Sequence, residues 1–430
     1  MTKLLERLTK VRKEETGALV WALVYGFCIF LAYYILRPVR DEISSADRGN
    51  LQVLWTAVFF VMLLAVPAYS WVVARWPRGV FVPWVNRFFI ACLVGFYITL
   101  VSLPLGARPW IDRVFYVWAS VFALFVVTVF WGFMADLFSS EQGKRLYGPI
   151  AVGGSLGAII GSAVTAGMVD LVPPFTLLLI ACIPLEMAAR AARQLHRRSD
   201  RPGSSLRRED APVSGGVWSG IKVVFSSPYL VRIALFIFLM TFASTVLYFQ
   251  QAHLIYDAIS DRAVRTALFA KIDFAVNVIT LVGQGFIVAH VIRRLGMAWS
   301  LALVPIISMA GFVALGVFPT LTVLVVVQIL YRSLRYAVAK PTREVLFTVV
   351  DREEKYKSKA FIDAAVYRGG DLINGWIYAG LAALGLTVGA IALVAAPVAL
   401  LWALTGLQLG RRQEALAATS EGASDDTLAT

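Results

Sequence analysis

Apolar residues in this chain run in long unbroken stretches, and about twelve of the stretches reach the length of a membrane-spanning helix. A bilayer core of roughly 30 Å takes roughly 20 apolar helical residues to cross. The pattern predicts spans at about 17–37, 51–74, 81–105, 110–137, 146–169 and 172–190. A second set follows at about 229–250, 267–290, 297–317, 320–340, 360–384 and 386–408. Short segments of alternating polarity, the mark of a membrane β-barrel, do not appear. Lipid excludes loops and open sheet edges, so the spans are expected to be helices. The expected fold class is an all-α polytopic membrane protein with about twelve transmembrane helices in two halves of six.

Composition agrees. The chain has 430 residues, 59% of them hydrophobic, and a mean hydropathy of +0.73, far above an ordinary globular domain. The net charge of +13 would point to nucleic acid in a soluble protein. Here it does not, because the basic residues collect in alternate loops: Arg75 and Arg78, Lys144 and Arg145, Arg293 and Arg294, Arg343 to Lys359, then Arg411 and Arg412. Cytoplasmic loops carry that excess, so both termini are expected inside, in a bacterial inner (plasma) membrane.

The expected organisation is a cytoplasmic amphipathic N-terminus at 1–16, a six-helix bundle at 17–190 and a cytoplasmic linker at 191–228. A second bundle at 229–408 and a disordered cytoplasmic tail at 409–430 complete it. No cleavable signal peptide is visible. Leu4, Leu5, Leu8 and Val11 share one helical face, so the N-terminal segment is expected to lie on the inner leaflet. Cys28, Cys92 and Cys182 fall in different apolar spans and support no disulfide framework. The three histidines are scattered, so no metal site or cofactor is expected.

The halves share a layout. ADLFSSEQGKRLYGPIAVGGSLGAIIGS in the first and PTREVLFTVVDREEKYKSKAFIDAAVYRGGDLING in the second each run from an acid through a basic loop to a Gly-Gly pair early in the fifth or eleventh span. Two parallel six-helix repeats are the layout of major-facilitator-type transporters. Gly153, Gly157 and Gly161, spaced by four, give one small-residue face for close helix packing. They do not form a phosphate loop: G-x-x-x-x-G-K-[ST] is absent, so ATP hydrolysis is not expected and the chain does not read as an enzyme.

Charged residues inside the spans carry the chemistry. Arg37, Arg40, Asp41 and Glu42 cluster around Pro38 where the first span ends. Two readings stay open: charges snorkelling to an interface, or a kinked helix turning guanidinium forks toward a cavity, where they suit phosphate or carboxylate. Asp136, at the inner end of the fourth span, precedes Lys144 and Arg145. Together they read as a loop salt bridge or as an inner gate closing against Arg335 or Asp363.

Further charges are Arg87, Arg232, Lys271, Asp273, Arg332, Arg335, Asp363, Arg368 and Asp371. Each charge at the bilayer centre costs roughly 2.5–3.5 kcal/mol, so most must be paired, interfacial or open to a water-filled path. Lys271 and Asp273, two apart, point different ways. Asp363, Tyr367 and Asp371, spaced by four, are expected near one helix face.

LRPVRDE, FWGFMADLFSSEQGKRLYGPIAVGGSLGAIIG and PTREVLFTVVDREEKYKSKAFIDAAVYRGGD resemble the ATP:ADP antiporter family, over nearly the whole helical region. The resemblance implies a twelve-helix, major-facilitator-like fold and nucleotide exchange across a membrane. It places the family's basic pair of the first span on Arg37 and Arg40, its fourth-span acid on Asp136, and its eleventh-span basic motif on Lys357 and Lys359. Nucleotide-exchanging members usually carry lysines in the first position, glutamate in the second and an acid in the seventh span. This chain has arginines, aspartate and VRIALFIFLMTFASTVLYFQ there.

The expectation that follows is a secondary active transporter of an organic anion, a nucleotide or other phosphorylated metabolite, working by alternating access. Its partners would be that small anion and the lipid bilayer, and no nucleic acid. The substrate set is Arg37, Arg40, Arg332, Arg335, Arg368, Lys271 and Asp273. Asp41, Asp136, Lys144, Arg145, Lys357, Lys359, Asp363 and Asp371 are expected to form gating ion pairs. The alternatives are a non-transporting scaffold or sensor on the same fold, and a proton-coupled carrier of another solute.

Overall fold

The computed structural model describes Arg12 and residues 15–76, 78–199, 217–286 and 288–428. Among them the chain is helical between short turns, with no strand. Eleven helices are long and apolar enough to cross a membrane. The first half holds α1 (Thr16–Ala46), α2 (Leu51–Arg75), α3 (Arg78–Ser102), α4 (Arg108–Leu137), α5 (Ser140–Met168) and α6 (Leu177–Ser199). After a short helix, Val217–Ser226, come α7 (Pro228–Ala258), α8 (Arg262–Phe286) and α9 (Val288–Val317). α10 begins as Leu321–Leu334 and continues through a π-turn, Arg335–Ala339, into Lys340–Val345. α12 is Val388–Leu428, helical well past 408, where the apolar window ends.

The remaining expected span, at 360–384, is α11. It comprises Arg352–Phe361, a π-turn at Ile362–Val366 and Tyr367–Ala383. Its apolar helix is 17 residues long and contains Arg368 and Asp371, so it falls short of the length of the others. Most of the amphipathic segment at 1–16 and the centre of the linker at 191–228 lie outside the described residues.

The chain forms two compact units. One holds Met1–Asp47, Thr56–Pro212 and Ile259–Asn277; the other holds Arg48–Trp55, Val213–Ala258 and Val278–Thr430. The first stretch of α8 thus belongs with the first unit. Inside that unit α1 packs on α5 and α6, and α3 on α4 and α6. Inside the second, α12 packs on α9 and α7, and α11 on α7.

The glycines explain the closest contact. Gly153, Gly157 and Gly161 lie against α1: a Cβ at Gly157 would fall on the Phe27 carbonyl, and one at Gly161 would come 2.6 Å from the Leu31 carbonyl oxygen. The Gly-Gly pair of α11 has a similar place, with Gly370 against Thr241 of α7. Both fifth-position helices therefore meet the first helix of their own repeat through glycine. Gly157→Ala is expected to cost about 1–3 kcal/mol or more through overpacking. Gly95→Ala, inside α3 with no atom of another helix within 4 Å of a new Cβ, should instead stabilise by up to about 1 kcal/mol through helix propensity. Thermal melting of the two purified variants should move in opposite directions.

One break is backbone-driven. Gly296 adopts φ 71°, ψ 176° inside α9, a conformation only glycine takes easily. The helix restarts with the Met297 N–H donating to Glu414 Oε1 at 2.7 Å, so a carboxylate from α12 caps it.

Polarity is inverted relative to a soluble protein. Phe60, Leu64, Trp84, Phe88, Leu384 and Leu401 face outward, while Asp41, Glu42, Asp273, Arg265 and Arg332 are buried. That arrangement suits a hydrocarbon solvent, in which apolar side chains lose nothing by exposure and charges must be sheltered.

Candidate functional site

In the first unit the helix does not end where the apolar stretch does. α1 continues through Pro38 to Ala46, so Arg37, Arg40, Asp41 and Glu42 occupy successive turns of an intact helix. Arg40 donates to Asp41 Oδ1 through Nη2 at 2.7 Å and Nε at 3.1 Å. Arg37 Nε lies 3.5 Å from Asp41 Oδ2 and 3.5 Å from Asp273 Oδ2. The Tyr34 and Tyr116 rings flank the two guanidinium groups at 5.6 and 5.9 Å. Each of these arginines is held by a buried acid.

Glu42 points to a second set of charges. Its side chain is fully buried and receives Arg262 Nε at 2.7 Å and Arg265 Nη2 at 2.7 Å. Arg262 also reaches Asp112 at 3.1 Å, and Arg265 donates to the carbonyls of Ile259 and Ser260 at 3.0 and 2.8 Å. Asp47, at the end of α1, takes Arg113 at 2.6 and 3.1 Å. Arg262 and Arg265 precede the apolar window of α8 and read as loop residues in sequence. Their spacing of three, which suits a helix start, was the available signal. Lys271 is exposed on α8, whereas Asp273 is buried, so the two do point different ways.

At the other end of this unit, Asp136 sits half-buried in the last turn of α4. FSSEQ proves to be a capping box: the Gln142 N–H donates to Ser139 Oγ at 3.4 Å and the Ser139 N–H to Gln142 Oε1 at 3.0 Å. Lys144 is exposed. Arg145 makes a bidentate pair with Glu15, at 2.9 and 3.0 Å, which ties the start of α1 to α5. Burial would raise the Glu15 pKa. The Arg145 hydrogen bond and charge, the Arg12 N–H and Gln142 outweigh it and hold the carboxyl below its usual 4.5.

A folded-state pKa lowered in this way stabilises above the unfolded value, and the contribution is lost as pH falls through the folded value. Wild type should therefore melt above Glu15→Gln at pH 7, with the gap closing only as pH falls below about 4.5. The third-span Arg87 is accounted for by Glu186 of α6, at 3.0 and 3.1 Å, a partner that sequence alone does not single out.

The second unit collects arginine and tyrosine. Arg335 opens the π-turn of α10 and Tyr367 follows the π-turn of α11. Arg335 Nη2 donates to the Tyr367 hydroxyl, and its guanidinium lies 5.9 Å from the ring centres of both Tyr331 and Tyr367. Arg368 lies 6.0 Å from the Tyr367 ring. Among the described residues no carboxylate reaches Arg335 or Arg368 at ion-pair distance, although Asp371 shares their field. Arg332 is buried beside them in sequence. An open groove of about 430 Å³ is lined by Gln284, Tyr336, Lys340, Pro341 and Glu344.

The π-turn Ile362–Val366 carries Asp363 and is followed directly by Tyr367. Asp363 pairs with Arg343 at 3.5 Å, while Tyr367 meets Arg335. Lys359 pairs with Glu344, and Lys357 is half-buried on the same short helix. π-turns concentrate at functional sites, and here one on each helix brings the arginine and the tyrosine together.

No family model matches the chain. Two curated proteins are similar to it over most of its length. ADP,ATP carrier protein 1 of Chlamydia trachomatis serovar D is 24% identical over 97% of this chain and 93% of that protein. ADP,ATP carrier protein 1 of Chlamydia muridarum is 23% identical over 86% and 84%. Among solved structures, a point mutant of the nucleoside transporter NupG aligns with TM-score 0.62 at 14% identity, over 93% of this chain and 99% of that one. A POT family transporter in complex with 5-aminolevulinic acid aligns with TM-score 0.64 at 12% identity, over 92% and 96%. The fold is therefore that of the major-facilitator-like transporters.

Proposed function

We propose that this integral membrane protein is a member of the ATP:ADP antiporter family, a carrier and not an enzyme, and that it exchanges nucleotides by alternating access; relatives 23–24% identical over most of its length support the reading. The observation that carries the reading is the near-complete overlap with ADP,ATP carriers, joined to several arginines that are buried or half-buried within the helices. An anion completes the pairing that buried guanidinium groups require, and phosphate oxygens match their planar fork.

In this reading Arg37 and Arg40 in the first unit, and Arg332, Arg335 and Arg368 in the second, hold the phosphates. Tyr331 and Tyr367 offer ring faces beside them. Lys271 and Asp273 complete the substrate set, Asp273 through its contact with Arg37 rather than with the anion. Asp41, Asp136, Lys144, Arg145, Lys357, Lys359, Asp363 and Asp371 supply ion pairs that differ between end states. A bundle at 17–190 and another at 229–408 would rock about the bound substrate, which shifts the equilibrium only by binding one state better than the other.

Both termini are assigned to the cytoplasm of a bacterial inner membrane from the loop arginines and lysines. Labelling of a cysteine at Ser204 by an impermeant reagent on intact cells would overturn that topology. The transport test uses proteoliposomes: labelled ATP should enter faster when ADP is loaded inside. If no phosphorylated anion moves and a neutral or cationic solute does, the assignment fails.

A further inference from the structure

The arginines of α1 already have counter-charges in the first unit, and one comes from outside their own helix. Arg37 has Asp41 and Asp273 at ion-pair distance, and Arg40 has Asp41. Asp41 is a neighbour in sequence. Asp273 is not: it is delivered by the first stretch of α8 and is 1% exposed. Its contact with Arg37 is long, 3.5 Å, against 2.6 and 2.7 Å for the ion pairs of Asp47 and Glu42 in the same unit. So the pair neutralises charge without the short hydrogen-bonded geometry that makes such contacts strong.

We propose that Asp273 is a built-in counter-anion for Arg37, which an anionic group of the substrate displaces. The inference rests on the reading that Arg37 meets an anion during transport. Its physical logic has three parts. A half-buried arginine is costly without counter-charge, and Asp41 is already engaged by Arg40 at 2.7 Å, so the empty carrier needs a second acid beside Arg37. A tight pair would resist exchange, whereas a phosphate offering two oxygens to the fork outcompetes a carboxylate held at 3.5 Å. Once displaced, the Asp273 carboxylate loses its contact with Arg37, which weakens the hold of the first stretch of α8 on α1. Substrate binding and helix movement are coupled through one side chain.

The experiment compares wild type, Asp273→Asn, Arg37→Gln and the double variant, purified in detergent. Binding of ADP, pyrophosphate and inorganic phosphate is titrated by thermal shift, and exchange is measured in proteoliposomes. With its competitor removed, Asp273→Asn should bind the preferred anion about tenfold more tightly, the scale of one charge-assisted contact. It should also exchange more slowly, because displacement no longer loosens α8. In the Arg37→Gln background the same substitution should leave affinity unchanged, which separates action through Arg37 from a general loss of stability.

Unchanged or weaker anion binding by Asp273→Asn overturns the inference, as does an equal gain in the Arg37→Gln background. If wild type exchanges nucleotides and Asp273→Asn binds them like wild type, this inference alone falls. If nucleotides are ignored but pyrophosphate or phosphate binds Asp273→Asn more tightly, the nucleotide reading falls and this one stands. If no anion binds either protein, both are overturned.

Discussion

Glu42→Ala is expected to destabilise the first unit more than any other single replacement of a charged side chain there. Glu42 is fully buried and is shared by Arg262 and Arg265, both at 2.7 Å. Its removal leaves Arg262 to lean on Asp112. Arg265, itself buried, keeps the carbonyls of Ile259 and Ser260 but loses the carboxylate that balances its charge. Breaking a buried ion pair by removing one partner costs about 3–5 kcal/mol, because the remaining charge stays behind uncompensated. Thermal melting in detergent should show the loss directly. Glu42→Gln, which keeps the shape and one acceptor, should fall between. A double replacement, Glu42→Met with Arg265→Met, should recover much of the stability, since an apolar pair of similar volume escapes the desolvation cost. If Glu42→Ala melts with wild type, the cluster does not bear on stability.

The second large effect concerns binding. Arg335→Gln should weaken nucleotide binding more than Arg37→Gln does. Each bidentate guanidinium contact with an anion contributes roughly 1.5–3 kcal/mol, so tenfold or more is expected from either. The two differ in what they do when no substrate is present. Arg37 is neutralised by Asp41 and Asp273, and part of its gain on binding phosphate is offset by losing them. Arg335 has no carboxylate at ion-pair distance among the described residues, and gives up the tyrosine hydroxyl of Tyr367 and the ring faces of Tyr331 and Tyr367. Arg37→Lys and Arg335→Lys should each give an intermediate loss, retaining charge without the fork. Titrating ADP by thermal shift against the four variants ranks them. Equal affinity of Arg335→Gln and wild type would remove Arg335 from the substrate set.

Length and hydropathy determined most of the architecture before any tertiary information. Twenty-residue apolar windows force helices in lipid, and among the described residues eleven of the expected spans are helices long and apolar enough to cross a membrane. The resemblance carried by LRPVRDE and FWGFMADLFSSEQGKRLYGPIAVGGSLGAIIG pointed to the carrier family that the relatives support. The glycine face at 153, 157 and 161 was legible because spacing by four aligns residues on any α-helix.

What the sequence could not decide were the partners of the charges. Arg37 meets an acid delivered by α8, and Glu42 meets arginines that hydropathy assigns to a loop. Such contacts depend on which helix faces pack together, and local periodicity is silent on that. The partners of Asp363 and Tyr367 were equally hidden: Asp363 meets Arg343 and Tyr367 meets Arg335, both delivered by α10. The sequence by itself determined that this chain crosses a membrane many times and carries charges that must be sheltered. Only the folded structure decided which charges shelter one another, because a long-range ion pair is a property of two surfaces brought together and neither segment encodes it alone.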